Sequence, residues 1–587
     1  MSNPYGSLVH FLSRYKWRYV MGVAALITTD CLSLVMPTIV GRFFEVAQTG
    51  TLTMSLISQY VGVILGVSLA IGVLRFAWRI FVFGTARFVE QDLRNTFFGQ
   101  LEKLSPSFYH RNKTGDLMAM ATNDLQAVRG IAGEGVLMGT DAIVMTLVTL
   151  GIMIWTVGWK LSLLAVLPLP ILAVASTYMS RAIFTRSRKV QDTFGRISDI
   201  TQENIAGMRV VKAYSQEAEQ ESVFDGANRQ YLQRFMSMMR IQGGIEPLIQ
   251  LLAGLCYVLA LVFPGRAVLR GEIDLGHFVS LTMYIGMMIW PMLAGGWVVN
   301  IIQRGMAAFD RIKGVITEEP AVQTAPGARM PAAGAIHGQI EIRNLTFTYA
   351  DKVIPALKGI SLTVNPGETL GILGRTGSGK TTLVSLLSRL FNPPRGTLFV
   401  DGVDVLDLPL DQLRHAIAFV PQDSFLFSRT VGENIGFAPG DWTEEQVRGA
   451  ARTAQVEQDI LEFLPEGYQT MVGERGVTLS GGQRQRVGLS RAVLKDAPIL
   501  VLDDCLSAVD TATEARILGG LRPVMQDRTT VVISHRVTAL RQADQIIVLD
   551  NGVIMESGAH DELIAQEGIY YRTWVRQQLE DAIASAE

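Results

Sequence analysis

At 587 residues, 49% of them apolar and 18% charged, the chain is too long for one domain of ordinary size and too apolar for a disordered one. A net charge of -2 with no long basic block argues against nucleic acid as a partner, and three cysteines in no metal or disulfide spacing argue against a cysteine framework. Roughly the first 300 residues hold several apolar stretches about twenty residues long, whereas the rest alternates short apolar runs with polar helices and turns, which predicts a membrane part followed by a soluble part.

The segment PYGSLVHFLSRYKW (Pro4 to Trp17) is amphipathic and is expected to lie along a membrane interface. Arg14, Lys16 and Arg18 then precede the first apolar stretch, Tyr19 to Val40, which is too long for the core of a signal peptide and reads as a first span. Five more spans fit at 56–83, 135–157, 161–179, 247–269 and 277–300. The connections at 41–55, 158–160 and 264–276 are short and hold few Lys or Arg. Those at 84–134 and 180–246 are long and carry Arg87, Arg94, Arg111, Lys113, Arg181, Arg186, Arg188, Lys189 and Arg209. The positive-inside bias therefore puts both termini and both long connections in the cytoplasm. The long connections read as continued helix that reverses near 111–118 and 212–220.

Four charged residues, Asp30, Arg75, Arg79 and Asp141, fall inside the spans, where a mid-bilayer charge costs several kcal/mol unless paired or wet. Three readings stand: a water-filled cavity in which Asp30 and Asp141 favour cationic amphipathic cargo, internal pairing such as Asp30 with Arg75, or residues close enough to an interface to be hydrated. Pro291 is expected to kink the last span.

Residues 316–339, rich in Pro, Ala and Gly, read as a linker between 1–315 and 340–587. Beyond it, the apolar run TLGIL leads into GRTGSGKTT (Gly374 to Thr382), and LVSLLSRLF follows at helical spacing, so the loop joins a strand end to a helix N-terminus. Gly374, Arg375, Thr376, Gly377, Ser378, Gly379, Lys380, Thr381 and Thr382 thus form a phosphate loop: glycines let successive N–H groups face an anion, Lys380 brings a full charge, and the Thr381 hydroxyl can ligate Mg2+.

Further motifs follow in order. AFVPQ ends at Gln422, a ligand candidate for Mg2+ and water. LSGGQ opens a helix with Ser480 as N-cap, leaving Gly481 and Gly482 N–H groups bare beside Gln483 for a second anion contact. The strand Ile499 to Leu502 ends in Asp503 and Asp504, carboxylates at a strand's carboxyl end, the first suited to Mg2+ and the second to the attacking water. TTVVIS ends at His535, which can contact a terminal phosphate, and Tyr349 at another strand end can stack on a base.

Over its whole length the chain resembles the ABC exporter half-transporters: an α-helical six-span transmembrane domain with long intracellular helical loops, then an α/β P-loop ABC ATPase domain. Within that family it is similar to the MdlA-like subunits of bacterial heterodimeric exporters, through TGDLMAMATND, MIWPMLAGGWVVNIIQRG and ILVLDDCLSAVD. The resemblance implies ATP with Mg2+, adenine stacking by Tyr349, the Walker A loop at 374–381, the Q-loop at Gln422, and the Walker B carboxylate at Asp503. It also implies a signature at Ser480, Gly482 and Gln483 that reaches ATP on the opposite subunit, a cross-subunit contact from Glu474, the D-loop at 507–510, the switch histidine at His535, and coupling helices near Gly115 and Tyr214. It implies an inner-membrane, multi-pass exporter of amphipathic drugs, lipids or peptides. A nucleotide-gated channel is the competing class, and the six spans exclude a soluble ATPase.

One departure matters. Where the family usually places the catalytic Glu, this chain has Asp504, one methylene shorter, and a displacement of about an ångström can cost ~100-fold in rate. The expectation is a slow site of its own, an intact signature lent to a partner that supplies Glu, and hence a heterodimer. A homodimer turning over slowly is the alternative.

Overall fold

A computed structural model of the chain describes residues 6–330, 336–473, 479–507 and 509–586. The chain divides into two compact units, one comprising Met1–Lys103 and Asn112–Glu318, the other Leu104–Arg111 and Glu319–Glu587.

Six helices in the first unit are long and apolar enough to cross a bilayer: α1 (Lys16–Gln48), α2 (Met54–Leu101), α3 (Thr114–Val157), α4 (Trp159–Ala206), α5 (Glu217–Leu269) and α6 (Leu275–Ile316). Their lengths follow from the sequence, because apolar stretches run on into charged helical ones without a breaker. The 48 residues of α2 make a rod of about 72 Å, more than twice the ~30 Å hydrocarbon thickness. Helix α6 continues through Pro291 and α1 through Pro37. Ahead of α1 a short helix, Leu8–Ser13, buries Leu8 and Phe11.

Packing between these helices is apolar at mid-length and ionic farther along. Leu34, Met153, Leu169, Leu172, Cys256 and Tyr284 form one buried cluster. Buried Tyr284 donates its hydroxyl to the Leu34 carbonyl at 2.8 Å, and Ser280 donates to the Pro37 carbonyl at 2.8 Å, tying α6 to α1. Gly41 and Gly276 bring these two backbones together: a Cβ on either would stand 2.4 Å from the other's carbonyl oxygen. In the charged stretches, buried Glu90 pairs with Arg94 at 2.6 Å and Arg129 at 3.2 Å, while Asp124 accepts both arms of Arg311 at 2.6 and 2.8 Å, so α2, α3 and α6 are cross-linked by charge.

Between α1, α2, α3 and α6 lies a cavity of about 580 Å3 whose lining includes Asp30, Arg75, Trp78, Arg79, Asp141 and Trp290. Asp30 is 5% exposed, yet its Oδ2 has no hydrogen-bond partner, and neither has Trp78 Nε1. Among the described residues Asp30 makes no ion pair with Arg75, whose charge still acts on it, and its carboxyl is hydrogen-bonded to that of Asp141.

In the second unit, β1 (Ile340–Phe347), β2 (Leu357–Val364), β4 (Leu398–Val400) and β5 (Val403–Asp404) form a four-stranded antiparallel sheet in the order β2-β1-β4-β5. A six-stranded sheet carries the site. It is built from β3 (Thr369–Gly374), β6 (Ile417–Val420), β7 (Ile499–Asp503), β8 (Thr529–Ile533), β9 (Gln545–Asp550) and β10 (Val553–Gly558), ordered β10-β9-β3-β8-β7-β6. Every neighbouring pair but β9–β10 is parallel. The fully buried runs ILVLD and TTVVI explain why: strands covered on both faces need continuous apolar sequence, not alternation. Helices α7 (Lys380–Leu387), α8 (Gly481–Lys495), α9 (Thr511–Gln526) and α10 (Ile569–Ala586) accompany them.

The segment predicted as a linker is bonded to this unit over its described part. Arg389, 2% exposed, donates to the Gln323 carbonyl at 2.8 Å, and Asn392 donates to the Ala321 carbonyl at 2.8 Å. The short helix Pro106–Arg111 also belongs to this unit, with the His110 ring 6.2 Å from that of Phe391. That stretch directly precedes the 111–118 reversal expected to act as a coupling helix.

Candidate nucleotide-binding site

Parallel pairing puts the strand ends in register: Ile372 opposite Ile533, and Ile533 opposite Asp503. The residues just beyond these ends therefore converge, at the carboxyl edge where open parallel sheets bind ligands. Between β3 and α7 the loop makes the turn that its glycines allow. Gly377 and Gly379 have φ of +83° and +104°; a Cβ on Gly379 would meet the Ala356 carbonyl at 2.7 Å, whereas Gly377 has nothing within 4 Å of that position and borders open space. Ser378 is 3% exposed, and its Oγ lacks a partner.

Lys380 is buried and folds back to donate to the carbonyls of Gly374 and Arg375 at 2.8 and 2.9 Å, with one ammonium hydrogen left over. Burial lowers its pKa, against the pull of Asp504 and Asp503. Thr381 Oγ1 donates to Asp503 Oδ1 at 3.2 Å. Burial raises the Asp503 pKa, and the negative charge of Asp504 adds to this, while Thr381, Lys380 and His535 oppose it. A carboxylate held high by burial is relieved by a cation. Two adjacent ligands of an octahedral Mg2+ at about 2.1 Å stand about 3 Å apart, which the Thr381 and Asp503 oxygens match. The residues therefore fit a triphosphate with its metal: an unpartnered hydroxyl, open space over a positive-φ glycine and a preset oxygen pair.

Asp504 is 8% exposed and sits at φ +46°, a left-handed backbone that Asp tolerates better than most residues; its N–H donates to the Ile533 carbonyl at 3.0 Å. The following Cys505 is buried, and its thiol is pushed up to about 12. His535 is exposed just past β8, close enough to Asp503 to act on its charge. Gln422 is exposed past β6. Tyr349 is half-buried: its hydroxyl is 3.0 Å from Thr382 Oγ1, and its ring packs edge-on against Phe347 and Phe391.

Ser480 caps α8 reciprocally with Gln483: its Oγ accepts the Gln483 N–H at 3.2 Å, and Gln483 Oε1 accepts the Ser480 N–H at 3.0 Å. The Gln483 amide also donates to Asp459 at 3.1 Å, so its side chain is engaged within the domain, whereas the Ser480 hydroxyl donates to no acceptor among the described residues. Glu474 and Ala508 lie outside the described residues.

Two contacts escaped the motif reading. Gln485 donates to the Gln422 carbonyl at 3.4 Å and to Ser507 Oγ at 3.2 Å, joining the loops that follow β6 and β7. Arg536 pairs with buried Glu514 on α9. Neither pair has a local sequence signal. A cavity of about 520 Å3 bordered by Thr369, Glu514 and Gln542 opens at the amino end of β3, away from the phosphate loop.

One polypeptide thus joins a triphosphate cradle to a bundle of bilayer-length helices, and that union defines a class: membrane transporters driven by ATP. Comparison with known proteins makes this specific. Residues 19–292 match the model of the ABC transporter transmembrane region, and residues 357–507 match that of the ABC transporter ATP-binding part, named simply ABC transporter. The chain belongs to the ABC transporter family, as a multi-pass half-transporter whose ATPase is coupled to transport. It is 39% identical over 97% of its length to the probable multidrug resistance ABC transporter ATP-binding/permease protein YheI of Bacillus subtilis, of which it covers 97%. It is 38% identical over 98% of its length to the multidrug resistance-like ATP-binding protein MdlA of Escherichia coli, covering 96%. The structure of a bacterial Atm1-family ABC exporter with ATP bound superposes with a TM-score of 0.77 at 26% identity, over 96% of this chain and 98% of that one.

Proposed function

We propose that the chain is one half of an exporter that moves amphipathic molecules out across the bacterial inner membrane, with both termini and the nucleotide domain cytoplasmic. Its own ATP site turns over slowly, and its signature helix completes a faster site on a different subunit carrying Glu. The observation that supports this reading is Asp504 following Asp503 where the described phosphate-loop and strand-end residues converge, together with an α8 whose N-terminus Ser480 and Gln483 cap reciprocally. When bound, Mg2+ would neutralise the triphosphate's charge between Thr381 and Asp503. Lys380 holds the phosphates, Asp504 orients water from too far back, His535 and Gln422 contact the nucleotide end from neighbouring strand ends, and Tyr349 offers its ring to the base. Two chains closing on two nucleotides, through the segments near 111–118 and 212–220, then turn the membrane cavity outward.

ATPase measured on the purified chain alone, then with candidate Glu-bearing subunits, tests the pairing. Slow turnover alone and a rise of about tenfold or more with one partner are expected on the geometric penalty described. Brisk turnover alone would favour a homodimer, and no gain with any partner would sink the reading.

The cavity suggests the cargo's chemistry. The buried Asp30 carboxyl, with one oxygen unpartnered, and the aromatic walls suit a cationic amphiphile even with Arg75 and Arg79 in the same lining, and the unused indole N–H of Trp78 would add a bond to any such cargo that carries an acceptor. Asp30→Asn should abolish stimulation of ATPase by tetraphenylphosphonium and spare stimulation by an uncharged detergent-like amphiphile. Equal loss of both would reject charge recognition at Asp30.

A further inference from the structure

The loop that carries His535 is held from outside the recognised motifs. Beyond β8 the chain turns at Ser534–Val537: the Ser534 N–H still reaches the Ile372 carbonyl of β3 at 3.3 Å, and the backbone groups that follow lie past the last strand pairing. Ser534 Oγ accepts the Arg536 N–H at 3.0 Å, and the Arg536 side chain pairs with Glu514. The two remaining polar groups flanking Arg536 are met by one side chain from the C-terminal helix α10. Gln577 Oε1 accepts the Val537 N–H at 2.8 Å, and Gln577 Nε2 donates to the His535 carbonyl at 2.7 Å. Only a primary amide offers donor and acceptor from one planar end, so this grip fixes both distance and orientation.

The helix that presents Gln577 is itself anchored. Glu556 accepts the N–H groups of Ile569 and Tyr570 at the start of α10. Tyr570 is fully buried, with its hydroxyl 2.8 Å from His560 Nδ1. Gln577 stands seven residues after Tyr570, two helical turns along, and so shares its inward face. The His535 ring is exposed while its backbone is clamped from behind, which leaves the imidazole free to reach a ligand from a fixed base.

We propose that Gln577 is a positioning residue for His535: it sets the backbone from which the imidazole addresses the terminal phosphate, and so makes hydrolysis depend on the seating of the C-terminal helix. This rests on His535 acting at the chain's own site.

The test is single-turnover hydrolysis of Mg-ATP by the full-length chain in detergent or nanodiscs, in wild-type and Asp504→Glu forms, with the phosphate-loop lysine of any subunit that co-purifies changed to Ala so that only this chain's site is read. Gln577→Ala, and Gln577→Met, which keeps length and packing but can neither donate nor accept, are each expected to slow the step roughly 10-fold, as misplacement of a reacting group does. The ATP concentration at half-saturation should change less than about twofold, since uniform binding is untouched. With His535→Ala already in place, Gln577→Met should add no further loss, the non-additivity expected of residues acting as a unit. A Gln577→Met protein as fast as wild type, or losses that simply multiply in the double variant, would overturn the clamp. A His535→Ala protein with undiminished rate would instead reject the role of His535, and the clamp with it.

Discussion

At the scale of single residues, Asp504 decides most. Its position is built as carefully as its neighbours': the N–H is bonded to Ile533, the carbonyl accepts from Ser507 at 2.9 Å, and the backbone is left-handed. On the proposed reading, what it wants is reach. Asp504→Glu restores the missing methylene, although Glu suits the left-handed backbone at φ +46° less well than Asp, and single-site hydrolysis should rise, by up to ~100-fold if misplacement is the whole defect. Radiolabelled phosphate released per turnover measures it, and an unchanged rate would locate the defect elsewhere. The motif residues were legible because each lies one or two positions past an apolar run that the sequence marks as a strand; that the ends carrying Gly374, Gln422, Asp503 and His535 share one edge came from the parallel pairing. Gln485 and Gln577 were not legible. Their partners lie 63 and 42 residues away along the chain, and an isolated Gln on a polar helix carries no pattern.

At the scale of elements, long helices were predictable in number and character, since twenty apolar residues leave little choice. How they meet was not. The Gly41 to Gly276 contact and the Asp124 to Arg311 pair join segments far apart in sequence, and no periodicity announces them. Helix α10 offers a testable case of element stability. Burial, aided by Arg541, depresses the His560 pKa below its ordinary 6.5, so folding favours the neutral ring that meets Tyr570. A folded-state value below the unfolded one means this contribution is present above the unfolded pKa and is lost as pH falls through the folded one. Limited proteolysis should therefore release the C-terminal helix faster at pH 5 than at pH 7.5 in the wild type, a difference that His560→Gln should flatten. Equal cleavage at both pH values in the wild type would refute it.

At the scale of the whole molecule, two compact units carry separate cores, one apolar around Tyr284 and one around the parallel strands. A ligand that binds only the second stabilises it by about 2.7 kcal/mol at a hundred times its dissociation constant. Calorimetry of the purified single chain should then show two transitions, with Mg-ATP raising one. A single transition displaced as a whole would mean that the units melt as one body. Lys380→Ala should abolish the displacement while leaving both transitions in place, because among the described residues the lysine's hydrogen bonds go to two carbonyls of its own loop.

The meeting of Gly41 and Gly276 carries a mechanical consequence. Two rods that touch main chain to main chain, with Ser280 and Tyr284 latched onto the carbonyls next along, have no lubricating layer of side chains to shear. The first and last spans must travel as a single lever. Whatever gap admits cargo has to open along some other seam of the bundle.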